Sequence, residues 1–100
     1  MKLFIRSLTL SLFASTNVFA LPLNEAIVNP EFDVYRFYEL PEAYSNEDLL
    51  ARGYCLKIAS GLKPYKEIIA DINEALNSDG YVSEWNYGAV KKMKEWGCFK

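Results

Sequence analysis

Histidine is absent from this 100-residue chain, and cysteine occurs only twice. Without histidine the commonest general base is missing, along with the commonest zinc-binding nitrogen. The two cysteines, Cys55 and Cys98, stand far apart with no CxxC spacing, which fits neither thioredoxin-type chemistry nor a zinc site. An excess of basic residues is missing as well: 11 Lys and Arg face 13 Asp and Glu, for a net charge of −2. That balance argues against a partner that presents phosphates, because tracking a nucleic-acid backbone needs a basic stripe. No Asn-x-Ser/Thr sequon occurs, so nothing points to a glycosylated product. Beyond the first twenty residues no run is long and apolar enough to span a bilayer, and neither an internal repeat nor a low-complexity tract interrupts the chain.

What is there begins with MKLFIRSLTLSLFASTNVFA. Lys2 and Arg6 form a basic start, Leu8 to Ala14 a short apolar stretch, and Val18-Phe19-Ala20 a small-residue cleavage site, the three parts of an export signal. A membrane anchor would need about 20 apolar residues, whereas this stretch is broken by Ser11, Ser15, Thr16 and Asn17 and stopped by Pro22. No cysteine follows the cleavage point, which closes the lipoprotein route. The expected organisation is a signal peptide over 1–20, an aromatic-rich segment over 21–44 with a short helix at 30–40, and a helical core domain over 45–100. The lysine-led start points to a bacterial periplasmic, or secreted, protein with no membrane insertion after cleavage.

An exported domain of about 80 residues is near the size at which a hydrophobic core alone gives marginal stability and a staple is needed. Export also favours oxidation, so Cys55 and Cys98 are read as a disulfide. It closes a loop of about 44 residues, worth roughly 4 kcal/mol in chain entropy. On this reading Cys98 ties the last helix back onto an earlier one.

The helices follow from periodicity and caps. Ser45-Asn46-Glu47-Asp48 fits a capping box, and Ala51, Cys55, Ile58 and Leu62 recur along one face, giving a helix from Asn46 to Ser60 stopped by Gly61. Pro64 opens a second helix with Tyr65, Ile68, Ile69, Ile72 and Leu76 on its apolar stripe, ended by Asn77-Ser78-Asp79-Gly80. Ser83 is the expected cap of a third helix lined by Val82, Trp85, Ala89, Met93 and Trp96, with Lys91, Lys92 and Lys94 set against its negative dipole end and Gly97 as its stop. Asn29-Pro30-Glu31 opens the short helix to Leu40, whose Phe32, Tyr35, Phe37 and Tyr38, with Tyr44 beyond, are expected to cover the open side of the core. The fold class is all-α: a small bundle of three to four short helices with one disulfide.

Motifs that carry chemistry are sparse. Ser60 to Lys63 spells SxxK, the nucleophile motif of penicillin-binding proteins, but it falls at a helix junction without the larger domain that chemistry needs. The carboxylate pairs Glu47 with Asp48 and Asp71 with Glu74 sit where capping and solvated faces explain them, and so small a domain leaves no room for a glycosidase cleft. No catalytic, metal or cofactor residue is assigned. The expectation is a non-enzymatic protein. The best binding candidate is the turn NSDGYVSEWNY, where Asn77, Asp79, Tyr81, Glu84 and Tyr87 combine amphipathic aromatics with charge. Trp85 belongs to the core stripe; Tyr81 and Tyr87 are open between partner contact and core lid.

The stretch SNEDLLARGYCLKIA and the ending KxMKxWxC, spanning Ser45 to Phe99, resemble the periplasmic immunity proteins of type VI secretion amidase effectors. Leu49, Leu50, Cys55, Met93 and Cys98 match, as core and bridge positions; the segment between Gly61 and Gly80 carries no matching residue. The resemblance implies a small all-α protein that binds a secreted cell-wall hydrolase and occludes its active site. Two alternatives come from other classes, a small periplasmic acid-stress chaperone and a structural or adaptor subunit of an exported complex. Pairing with a second copy of the chain is also open.

Overall fold

The computed structural model describes residues 22–100, so the signal peptide expected over 1–20 lies outside the described residues. Four α-helices follow a 3₁₀ turn at Glu25–Ile27: α1 (Val34–Tyr38), α2 (Asn46–Ser60), α3 (Tyr65–Leu76) and α4 (Tyr81–Trp96). The all-α architecture with one disulfide is thereby shown.

Local chemistry sets the helix ends. The Ser45 hydroxyl accepts the Asp48 amide at 3.1 Å to start α2, and Gly61 ends it at φ 68°, a left-handed conformation that glycine adopts without a Cβ clash. Asp48 does not complete the box by reaching back to Ser45; its Oδ2 accepts the Tyr44 amide at 3.2 Å. α3 starts directly after Pro64, which occupies the cap position and lacks the donor that would otherwise go unpaired. α4 begins at Tyr81, two residues before the expected cap. Ser83 is instead inside the first turn and donates its hydroxyl to the Leu76 carbonyl at 2.8 Å, which ties the start of α4 to the end of α3.

α1 is shorter than the helix expected over 30–40. Asn29 holds Pro30 and Glu31 in a turn by accepting the Glu31 amide at 3.0 Å, and Asp33 then caps the helix by accepting the Arg36 amide at 2.9 Å. Only five residues remain before Glu39 and Pro41.

The core lies between α2, α3 and α4. Ala51, Cys55 and Ile58 face Ile68, Ile72 and Leu76 and the buried Ala89, Val90 and Met93. Full burial of an aliphatic side chain such as Ile68 or Ile72 contributes about 1.5–3 kcal/mol, so the α3 stripe is a main source of cohesion. One buried polar link crosses it: the Tyr54 hydroxyl donates to Asn86 Oδ1, and Asn86 Nδ2 donates to the Val82 carbonyl at 2.8 Å. Leu62, expected on the inner face of α2, is 88% exposed, because the left-handed Gly61 has already turned the chain off the helix.

Both ends of the described segment are tied down. Cys55 and Cys98 are bonded with their Cα atoms 5.6 Å apart, and both are fully buried. After the left-handed Gly97, the tail runs antiparallel to residues 27–29: the Asn29 amide donates to the Cys98 carbonyl at 2.9 Å and the Lys100 amide to the Ile27 carbonyl at 2.7 Å. Phe99 is thereby held inside at 1% exposure. At the other end the Asn73 side chain clamps Leu23, accepting its amide at 2.8 Å and donating to its carbonyl at 2.9 Å.

Candidate functional site

The predicted binding turn divides into structural and exposed parts. Asn77 is the C-cap of α3 and donates its side-chain amide to the Asn73 carbonyl at 2.8 Å, so it has a local task. Asp79 and Glu84 stay at the surface. Gly80 at φ 68° makes the sharp entry into α4. Tyr81 is 72% exposed and stacks on the half-buried Trp85 one helical turn on, with ring centroids 6.0 Å apart. Tyr87 packs against the core, which takes it toward the lid alternative. Asp79, Tyr81 and Glu84 are thus left together at the start of α4.

A larger aromatic surface lies elsewhere. The expectation that Phe32, Tyr35, Phe37, Tyr38 and Tyr44 jointly cover the core holds only for Phe32 and Phe37. Tyr35, Tyr38 and Tyr44 are 78%, 79% and 85% exposed. The reason is geometric: in a five-residue helix only one side meets α2, and Phe37 takes it, leaving Tyr35 and Tyr38, three positions apart, on the outer side. Arg52 of α2 covers Phe37, with its guanidinium 4.8 Å from the ring centroid and a hydrogen bond to the Pro41 carbonyl at 2.9 Å. Tyr38 meets the edge of the same Phe37 ring at 5.6 Å.

The surface continues onto α2. Leu49 and Leu56 lie three positions before and four after Arg52, the spacings that share a helix side, and both are exposed. Leu49, matched above as a core position, is 60% exposed; Leu50 is the neighbour that packs against the core. α2 carries apolar residues on both sides, and only the side bearing Ala51, Cys55 and Ile58 can meet α3 and α4. Relative to the Ser45 cap, Tyr44 and Leu49 stand at N′ and N4, the spacing of a hydrophobic staple.

The lysine cluster of α4 is divided too. Lys94 alone lies in the last turn. Lys92 sits 3.9 Å from Asp48 and 3.8 Å from Glu95, beside a cleft of about 480 Å³ that Ser45, Glu47, Gly88 and Lys91 also line. Gly88 is what lets α2 approach here: a Cβ at that position would stand 3.2 Å from Glu47 Cβ and nearer still to its Cγ. At the SxxK stretch, Ser60 donates to the Lys57 carbonyl at 3.1 Å and Lys63 pairs with Asp71 at 3.8 Å. Neither side chain is spent on the other. Among the described residues no group of three or more His, Cys, Asp or Glu side chains is placed to hold a metal ion, and no helix is long and apolar enough to cross a membrane.

The groups gathered on the tyrosine side are exposed phenols, exposed leucines and carboxylates. The chain matches no family model, no curated protein and no solved structure. The tyrosine surface escaped the sequence because aromatic content gives no direction; the Tyr44 to Leu49 staple spacing was the one local signal for it.

Proposed function

We propose that this is an exported binding protein that acts through its surface, neutralising a cell-wall-degrading enzyme of the peptidoglycan amidase type by occluding its active site. The observation that carries the reading is the pairing of a locked frame with exposed tyrosines. Cys55–Cys98 and the pairing of the tail with residues 27–29 fix the C-terminal tail to the helical body, and Tyr35, Tyr38, Tyr44 and Tyr81 project from that body. Tyrosine offers large amphipathic contact area with few rotatable bonds, and a pre-ordered frame lowers the entropic cost of docking. The leader pattern and the disulfide support the periplasm, and the resemblance over Ser45 to Phe99 supports the amidase class.

The chaperone alternative asks for a body that loosens in strong acid to expose apolar surface. The buried bridge opposes that by fixing α2 to the tail whatever the protonation state. The test is inhibition: purified oxidised protein is titrated into peptidoglycan digestion by the wall amidase encoded beside its gene. A stoichiometric 1:1 loss of activity is expected. Undiminished digestion at excess protein, together with survival of cells lacking this protein next to armed siblings, removes the reading.

A further inference from the structure

The exposed tyrosine face of α1 and its loop has a charge signature that the rest of the molecule lacks. From Pro22 to Leu56 the chain has no lysine; it carries seven carboxylates and two arginines. Both arginines are engaged with rings: Arg52 covers Phe37, and Arg36 lies 5.9 Å from the Phe32 centroid. The carboxylates closest in sequence to the tyrosines, Glu31, Asp33, Glu39 and Glu42, are all exposed. Glu42 accepts the Tyr44 hydroxyl at 3.0 Å, which sets one carboxylate against one ring. From Lys57 onward the balance differs, with seven lysines against six carboxylates.

We infer that the α1 face, centred on Tyr35, Tyr38 and Tyr44 and continued by Leu49, is the docking surface for a protein partner whose contact region is cationic. The inference rests on the binding-protein reading above and names the site and the chemistry of its partner. Lysine and arginine side chains suit this face in two ways. Their charges pair with the carboxylate rim, and their cationic heads and apolar stems pack on phenol rings. The same rim repels nucleic acid and anionic lipid headgroups, so a protein is the partner it favours. The Tyr81 and Trp85 pair at the head of α4 is left outside this surface.

The test is an amide chemical-shift titration of the ¹⁵N-labelled, oxidised full domain with a nine-residue peptide of lysine and leucine, and with its glutamate counterpart as control. Shifts are expected around Tyr35, Tyr38 and Tyr44 with the lysine peptide only. Tyr35→Ala combined with Tyr38→Ala should weaken the peptide roughly 5-fold or more, as truncation of hot-spot tyrosines does. Glu39→Lys with Glu42→Lys should do the same without removing a ring. Glu67→Gln, an exposed site on α3, should leave affinity unchanged. Shifts concentrated instead on the carboxylates of α3, or equal effects of the two peptides, would overturn the inference. Failure of the inhibition assay with the peptide still mapped to α1 sinks the amidase reading alone; inhibition that survives both double variants sinks the α1 face alone.

Discussion

The side-chain amide of Asn29 donates to the carbonyl of Gly97 at 2.8 Å, across 68 positions of sequence. With the backbone pairing of residues 27–29 to the tail, this bond means Cys98 is held by more than its sulfur. Asn29→Asp keeps the acceptor for the Glu31 amide but sets a carboxylate against the Gly97 carbonyl. The expected result is faster amide exchange at Lys100 and at Asn29 itself, with a stability loss of about 1–3 kcal/mol for the lost donor. Unchanged exchange at both amides would show that the side chain contributes nothing to tail docking.

Removal of the bridge should be far more costly. Cys55→Ala with Cys98→Ala is expected to lower stability in urea by about 4 kcal/mol from loop closure. At roughly 0.05–0.15 kcal/mol per residue a domain of about 80 residues totals roughly 4–12 kcal/mol, so the variant should lose about a third or more of its stability. A change below about 1 kcal/mol would mean that the tail pairing alone holds the fold.

Two helical glycines should respond oppositely to alanine. Gly53 in α2 has no neighbouring atom within 4 Å of an added Cβ, so Gly53→Ala should stabilise by about 1 kcal/mol through helix propensity. Gly88→Ala meets Glu47, and should destabilise by about 1–3 kcal/mol, as overpacking does. Shortening the obstacle with Glu47→Ala in the same chain should recover most of that loss. Additive effects of the two substitutions in thermal melts would contradict the close approach of α2 to α4.

Tyr54 gives the fold a high-pH limit. Burial first, and the Asp71 carboxylate second, push its phenol above the ordinary value of 10.0. The neutral form is favoured in the native state, so its contribution is complete below pH 10.0 and is lost as pH rises beyond that, where the unfolded chain releases the proton and the native chain holds it. Stability should fall above that point, and Tyr54→Phe should flatten the fall. At neutral pH the same substitution should cost about 1–3 kcal/mol, because Asn86 Oδ1 loses its donor inside the core. Parallel pH profiles for wild type and Tyr54→Phe would refute the assignment.

The parts of this fold that were readable in the sequence are those specified by neighbours in the chain. Ser45 and Gly61 bound α2, and the spacing from Tyr65 to Leu76 gives α3, because caps and stripes act over one to four residues. The disulfide was readable from compartment and count. What escaped depends on distant segments. The pairing of Val28 with Phe99 leaves no period to detect, and the Leu23 clamp by Asn73 is a single polar contact across 50 positions. Ser83 has the chemistry of a cap, but the Leu76 carbonyl competes for its hydroxyl. The outward aim of Tyr35 and Tyr38 was hidden for a related reason: α1 is too short for its own pattern to say which ring α2 will cover.

The central claim is an exported α-helical body closed by one bridge, and the most direct measurement is an intact mass. Protein recovered from the periplasmic fraction is denatured and exposed to a thiol alkylator, without prior reduction, before its mass is read. The expected species begins at Leu21 and takes up no alkyl group. A species that retains Met1, or that gains an alkyl group at Cys55 and at Cys98, would contradict the account.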